Sequence, residues 1–268
     1  MRRGALEPSC RRSIVRRAGW TAALVVLAAM AWGAGAAGVG AAPRPGVPET
    51  LRVGTDATYP PMEFMEGDEF RGFDMDLIRE IGKRLGAKVV IQNVGWDGLI
   101  PGLNNRNYDV VISAMTILPE RQEAVDFSDP YFNAGQIIVV RKGDTRVKGP
   151  NDLKGKVVAV QINTTGQFAS EKIAGVTRID KYDTTPLAVQ AVMQRSADAA
   201  VIDLPVAVEL VKEYPGQIEF VGKPFTEEYY GIAVRKGRPE LLKAINEVLQ
   251  EIKRDGTYDK IYARWIGR

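Results

Sequence analysis

The stretch Gly72-Phe73-Asp74-Met75-Asp76-Leu77-Ile78-Arg79-Glu80-Ile81-Gly82-Lys83-Arg84-Leu85 decides how this sequence folds. Its large apolar residues recur at the spacing that places them on one face of a helix. Two acidic residues in the first turn complement the helix dipole, and the following Gly86 suits the left-handed position that ends a helix. The stretch therefore predicts an amphipathic helix that packs on a sheet.

Strands and helices alternate on both sides of this helix. Apolar runs predict strands at 51–54, 88–92, 108–113, 137–140, 157–161, 178–182 and 199–202. Helices are predicted at 96–104, 164–173, 187–195, 205–212, 239–253 and 258–266, with Thr185-Pro186 as the cap of the helix that follows it. This alternation predicts an α/β fold with two parallel sheets rather than one continuous sheet.

The N-terminal region is typical of an export signal. Six arginines within residues 2–17 precede an uncharged run at 18–42, whose second half is rich in Gly and Ala. We interpret residues 1–42 as a signal peptide, with an uncleaved membrane anchor as the alternative, and 43–49 as a proline-rich linker. Cys10 precedes the apolar run, which argues against a lipid anchor at this cysteine.

Composition excludes several classes of function. Residues 43–268 hold 30 Lys and Arg against 32 Asp and Glu, so the basic excess belongs to the leader and nucleic-acid binding is not expected. The same residues contain neither Cys nor His, which excludes cysteine nucleophiles, histidine-assisted triads, disulfides and the usual zinc sites. The sequence predicts no metal and no cofactor.

Polar and aromatic residues cluster where predicted strands end. Ligands of open α/β sheets bind at the carboxyl ends of the strands. The candidate ligand-binding residues in these loops are Asp56, Tyr59, Trp96, Ser113, Ala114, Thr116, Arg121, Gln161, Thr164, Thr165 and Asp203.

The chemistry of these residues suits an amino acid. A carboxylate can be bound by the guanidinium of Arg121 and by the helix start at Thr164-Thr165, and an ammonium by Asp203 with Thr116. Tyr59 and Trp96 can enclose the ligand's side chain. Each residue also has a structural alternative: Arg121 can pair with Glu123 or Asp126, Asp203 and Thr164 can cap helices, and the two aromatic residues can be half-buried core.

Several motifs resemble the bacterial extracellular solute-binding proteins of family 3. They are Thr55-Asp56-Ala57-Thr58-Tyr59-Pro60-Pro61, the 72–85 stretch, Met115-Thr116-Ile117-Leu118-Pro119-Glu120-Arg121, Asp126-Phe127-Ser128-Asp129-Pro130-Tyr131 and Thr164-Thr165-Gly166. The resemblance implies a two-lobed, type II periplasmic-binding fold whose lobes are joined by two crossing strands. The short repeat Val140-Arg141-Lys142-Gly143 and Val234-Arg235-Lys236-Gly237 agrees with lobe one at 50–139 and 231–268 and lobe two at 140–230.

The resemblance also implies roles for single residues. Arg121 would bind the ligand carboxylate and Asp203 the ammonium, with Ser113, Ala114, Thr116 and Thr165 adding contacts. The protein would be a monomeric, periplasmic receptor that delivers a polar L-amino acid to the permease subunits of an ABC transporter. Glutamine is favoured because no further acidic residue is predicted at the side-chain end, and arginine is the next choice.

Two other functions compete with this reading. Some relatives on this scaffold are dehydratases of cyclic acids, which would need a general acid such as Asp56, Glu63 or Asp203 in the cleft. A sensor ectodomain is the other alternative, and it would need the retained anchor or a recruited partner.

Overall fold

The computed structural model describes residues 44–267, and strands alternate with helices along this range. The strands are β1 (Thr50–Thr55), β2 (Thr58–Tyr59), β3 (Glu63–Glu66), β4 (Glu69–Arg71), β5 (Lys88–Asn93), β6 (Val110–Val111), β7 (Val125–Phe127), β8 (Phe132–Ala134), β9 (Gln136–Arg141), β10 (Val157–Gln161), β11 (Arg178–Tyr182), β12 (Ala199–Asp203), β13 (Ile218–Val221), β14 (Glu228–Tyr230) and β15 (Ala233–Arg235). The helices are α1 (Phe73–Leu85), α2 (Leu99–Asn104), α3 (Pro119–Gln122), α4 (Thr165–Glu171), α5 (Thr185–Met193), α6 (Leu204–Glu213), α7 (Pro239–Arg254) and α8 (Thr257–Trp265). Short 3₁₀ helices cover Trp96–Gly98 and Pro150–Leu153.

Two five-stranded sheets form the centres of two lobes. The first has the order β5-β1-β6-β15-β7 and the second the order β11-β10-β12-β9-β13. In each sheet one strand runs against the other four, namely β15 in the first sheet and β9 in the second. The opposed strand is the one that enters from the other lobe.

Two crossing strands connect the lobes. β8 and β14 pair antiparallel, with Phe132 opposite Tyr230. β8 leads into β9 of the second sheet, and β14 leads back into β15 of the first sheet. The predicted fold class, two mostly parallel sheets flanked by helices and joined by two crossing strands, is confirmed. β9 enters the second sheet at Gln136, before the predicted lobe boundary at 139/140, and the domain limits stay a prediction.

Helix α1 forms where the sequence predicts it and buries the predicted face. Phe73, Leu77, Ile78, Ile81 and Leu85 are all fully buried. Gly86 ends the helix with φ of 72°, and Gly72 before it has φ of 125°, where a Cβ atom would collide with the carbonyl of Met62. The helix therefore packs tightly between the first sheet and helices α7 and α8.

Some predicted bounds differ from the structure. Thr184, not Thr185, caps α5, because the Thr184 hydroxyl accepts a hydrogen bond from the amide of Leu187. The predicted helix at 96–104 divides into a 3₁₀ turn and α2, and the predicted strand at 108–113 is reduced to β6. No helix within residues 44–267 is long and apolar enough to cross a membrane. The predictions for residues 1–42 lie outside the described residues.

Replacing Phe73 by Ala tests the packing of α1. The Phe73 ring lies 5.4 Å from the ring of Phe132 and 5.7 Å from that of Tyr258, centroid to centroid. We expect the free energy of unfolding to fall by about 3–5 kcal/mol in urea denaturation, because the truncation leaves a cavity. Leu187→Ala, at a side chain that is 44% exposed, is the control and should change stability by less than about 0.5 kcal/mol. Equal losses in the two variants would contradict this assignment of the core.

Candidate ligand-binding site

The carboxyl ends of strands from both sheets border one cavity. Every candidate residue named from the sequence lies in its wall: Asp56, Tyr59, Trp96, Ser113, Ala114, Thr116, Arg121, Gln161, Thr164, Thr165 and Asp203. The first seven come from the first lobe and the last four from the second.

Arg121 supplies the positive charge of the cavity. Its guanidinium donates hydrogen bonds to the carbonyl oxygens of Thr116 at 2.9 Å and Asn163 at 3.2 Å, rather than to Glu123 or Asp126. Its carbon Cζ lies 5.0 Å above the ring of Trp96. Burial lowers the pKa of Arg121 to about 10. The guanidinium is therefore held by neutral groups and retains donors for an anion.

Asp203 supplies a carboxylate from the second lobe. It precedes α6 but makes no side-chain cap to that helix. Instead its Oδ2 atom accepts hydrogen bonds from the hydroxyls of Tyr59 and Tyr230, both at 2.6 Å, and its Oδ1 atom accepts one from the amide of Gln136. Burial, followed by the nearby charge of Glu228, raises the pKa of Asp203 to about 7. The capping alternative is thus excluded for this side chain.

Hydrogen bonds between the lobes hold the cavity closed. Asn163 of the second lobe has φ of 56°, and its carbonyl accepts hydrogen bonds from Trp96 Nε1 at 3.1 Å and from Arg121. The Asn163 side chain donates to Asp97 at 2.9 Å, and Gln161 donates to Asp56 at 3.1 Å. Together with the Tyr59–Asp203 bond, these contacts bring both lobes against the same enclosed space.

The second lobe presents the start of α4 to the cavity. Thr164 caps this helix, with its hydroxyl accepting a hydrogen bond from the amide of Gln167 at 3.4 Å, so its structural alternative holds alongside its place in the wall. A Cβ atom on Gly166 would lie 2.6 Å from the carbonyl oxygen of Val201 and 3.0 Å from Oε1 of Gln136. Glycine is therefore required for α4 to approach β12 and β9 this closely.

Comparison with known proteins assigns the chain to a family. The profile of the bacterial extracellular solute-binding proteins, family 3, matches residues 51–268. The chain belongs to this family. A probable histidine-binding protein of Neisseria gonorrhoeae is 35% identical over 257 residues, covering 93% of this chain and 96% of that protein.

Solved structures agree with this membership. An ancestral arginine-binding protein bound to glutamine is 48% identical with a TM-score of 0.80, covering 83% of this chain and 100% of that one. An ancestral arginine-binding protein bound to arginine is 48% identical with a TM-score of 0.79, covering 81% of this chain and 98% of that one. This solute-binding protein therefore has the type II periplasmic-binding architecture.

Some wall residues of this solute-binding protein were not among the candidate ligand-binding residues predicted from the sequence. They are Gln136, Gly166, Thr185, Val201 and Ile202, together with Glu63, which was considered only as a general acid of an enzyme. Glu63 is thus an acidic wall residue in addition to the predicted Asp56 and Asp203. The burial of Glu63 in the hairpin before α1 is visible in the structure, and no pattern in the sequence predicted it.

The pH dependence of stability tests the environment of Asp203. The folded pKa of Asp203 is about 7, whereas an unfolded aspartate titrates near 4. The contribution of Asp203 to wild-type stability therefore falls as the pH rises between these two values, and it stays constant at higher pH. We expect the free energy of unfolding of the wild type, relative to Asp203→Asn, to fall by about 1.4 kcal/mol per pH unit from about pH 5 to 7 in urea denaturation. Asp68→Asn, on an exposed turn, should follow the wild type. Parallel wild-type and Asp203→Asn profiles would contradict the raised pKa.

Proposed function

We propose that the chain is an extracytoplasmic receptor that encloses a polar L-amino acid, arginine or glutamine, between its two lobes and delivers it to an ABC importer. The observation that carries the proposal is the pairing of one buried cation from the first lobe, Arg121, with one buried carboxylate from the second, Asp203, in a single cavity. A free amino acid carries the two complementary charges. Closing the lobes is therefore coupled to binding both ends of the ligand.

Each ligand end has a defined partner in this proposal. The ligand carboxylate binds the remaining donors of Arg121, with the Thr165 amide nearby, because a guanidinium recognises a carboxylate with two parallel hydrogen bonds. The ligand ammonium binds Asp203, assisted by the Thr116 hydroxyl. An ammonium lowers the pKa of Asp203, so binding below about pH 7 releases a proton from this residue.

The ligand side chain lies toward Asp56, Tyr59 and Trp96. Asp56 accepts hydrogen bonds from the Thr58 hydroxyl at 2.9 Å, from Gln161 and from the backbone of Trp96, and it lies in the cavity wall. A carboxylate here accepts from a primary amide and still better from a guanidinium. Because of Asp56, we propose arginine as well as glutamine as a preferred ligand.

We assign the protein no catalytic role. Asp203 accepts hydrogen bonds from three side chains, and Glu63 is bonded to the hydroxyl of Ser113 at 3.0 Å. Neither is placed to give a proton to a ligand without losing its contacts. Membership of an extracellular binding family supports a periplasmic location and the permease subunits of an importer as partners. A cleaved leader and a monomeric receptor are further parts of our proposal.

Isothermal titration of the mature protein, stripped of ligand by unfolding and refolding, tests the receptor. We expect L-arginine or L-glutamine to bind with at least micromolar affinity, which requires about −8 kcal/mol. Arg121→Ala should weaken binding by at least about a hundredfold, because the lost charged hydrogen bonds are worth about 3 kcal/mol in a buried site. Arg178→Ala, on an exposed ion pair with Asp180, should bind as the wild type does. Silence of the wild type toward both ligands would refute the proposal.

Asp56→Asn separates the two ligands. The change keeps the shape of the side chain but removes its charge, so a cationic guanidinium loses more than a neutral amide. We expect arginine affinity to fall by about tenfold or more while glutamine affinity changes by less than about threefold. The measurement is the ratio of the two dissociation constants in wild type and variant. An unchanged ratio would show that Asp56 does not contact the ligand side chain.

A further inference from the structure

Two buried carboxylates, Glu63 and Asp74, lie on the first-lobe side of the cavity, with Glu63 in its wall. Glu63 is 1% exposed and Asp74 is fully buried. An electrostatic interaction couples their side chains. Glu63 Oε2 and Asp74 Oδ1 are buried and have no hydrogen-bond donor among the described residues. An ionised carboxylate oxygen can only accept a hydrogen bond, so one proton shared by the pair would satisfy both of these atoms.

The other oxygen of each carboxylate holds a cavity loop. Glu63 Oε1 accepts a hydrogen bond from the Ser113 hydroxyl at 3.0 Å, and the same hydroxyl accepts one from the backbone amide of Asp56 at 2.9 Å. Asp74 Oδ2 accepts from the backbone amide of Ala114 and from the hydroxyl of Tyr131, both at 2.7 Å. The loop at Asp56 and the loop at Ser113-Ala114 are thus both connected to this pair by hydrogen bonds.

The loop at Ala114 needs such a restraint. Ala114 has φ of 45°, in the left-handed region that costs a residue with a Cβ atom free energy. In this conformation its amide donates to Asp74, and the residue lies in the cavity wall. Loss of the Asp74 contact would release the backbone toward its ordinary range.

We propose that Glu63 and Asp74 share one proton, carried on Glu63 Oε2 and donated to Asp74 Oδ1, and that this proton positions the two first-lobe loops of the cavity. We assign the proton to Glu63 because Asp74 accepts two short hydrogen bonds on its other oxygen, whereas Glu63 accepts one. Asp74 is therefore the better placed of the two to carry the negative charge. The proposal goes beyond ligand capture and holds whatever the cavity binds.

The surroundings of the pair favour retention of the proton. Burial, together with the charge of Asp74, raises the pKa of Glu63 well above its usual range. The titratable groups that face the pair from neighbouring elements carry no positive charge: they are Asp56 from the loop after β1, Tyr59 from β2, Tyr131 before β8 and Tyr258 from α8. Burial also raises the pKa of each tyrosine, so these hydroxyls stay neutral donors.

Infrared spectroscopy of the ligand-free protein tests the proton directly. A protonated carboxyl has a carbonyl stretch distinct from that of a carboxylate, and we expect one at about pH 8 that disappears in both Glu63→Gln and Asp74→Asn. In Glu63→Gln the amide donates to Asp74 Oδ1 as the acid does, and in Asp74→Asn the amide donates in the opposite direction, to Glu63 Oε2, which leaves Glu63 ionised. Glu49→Gln, at an exposed glutamate, is the matched control and should keep the band. Retention of the band in both pair variants would overturn the proposal.

The positioning role has its own readout. Because the folded pKa of Glu63 is raised, we expect the folding equilibrium constant of the wild type, relative to Glu63→Gln, to fall about tenfold per pH unit above the unfolded value of about 4.3, until the folded pKa is passed.

Glu63→Leu, which can neither donate to Asp74 nor accept from Ser113, should bind L-arginine and L-glutamine at least about tenfold more weakly than Glu63→Gln. Equal behaviour of the Gln and Leu variants in stability and binding would show that the side chain only fills space, and refute the positioning role. If the wild type binds neither amino acid, the infrared and stability measurements still decide the question.

Discussion

The first-lobe wall of the cavity depends on the hydrogen bonds that the buried carboxylate of Asp74 accepts. It lies in the first turn of α1, the helix whose apolar face builds the core of that lobe. One of its oxygens fixes Ala114 in a left-handed conformation and binds Tyr131, the residue before the crossing strand β8. A displacement of α1 would therefore reach the cavity loop and the start of the hinge together. The stretch that determines the fold also shapes the site.

The cavity holds two separated, incompletely compensated charges. Burial lowers the pKa of Arg121 and raises that of Asp203, which means that each charge is disfavoured by its surroundings. Neutral donors and acceptors hold both side chains in place, yet they do not neutralise them. A zwitterionic ligand would add a counter-charge to each, and the low dielectric that disfavours an isolated buried charge strengthens its attraction to a counter-charge.

Sequence analysis predicted most of this architecture because its signals were local. The face of α1 and the strand ends could be read from periodicity, and the carboxyl ends of parallel strands meet at one edge, so residues as distant as Asp56 and Asp203 lie around one cavity. The strand-end rule does not reach Glu63, which lies in the hairpin strand β3, or Gln136, which begins the opposed strand β9. Asp74 was interpreted only through the helix dipole. Its real partners are 40 and 57 residues away, and no local pattern encodes such contacts.

The crossing strands contribute to the site as well as connecting the lobes. Tyr230 of β14 stacks on Phe132 of β8, with ring centroids 5.5 Å apart and planes inclined by 15°. Its hydroxyl donates to Asp203 of the second lobe, and its backbone bridges to Thr116 of the first. A rotation of the lobes about these strands must move Tyr230 relative to at least one of these partners. The hydrogen bonding of Asp203 therefore depends on the angle between the lobes. Tyr230 connects this carboxylate of the cavity to the crossing strands β8 and β14.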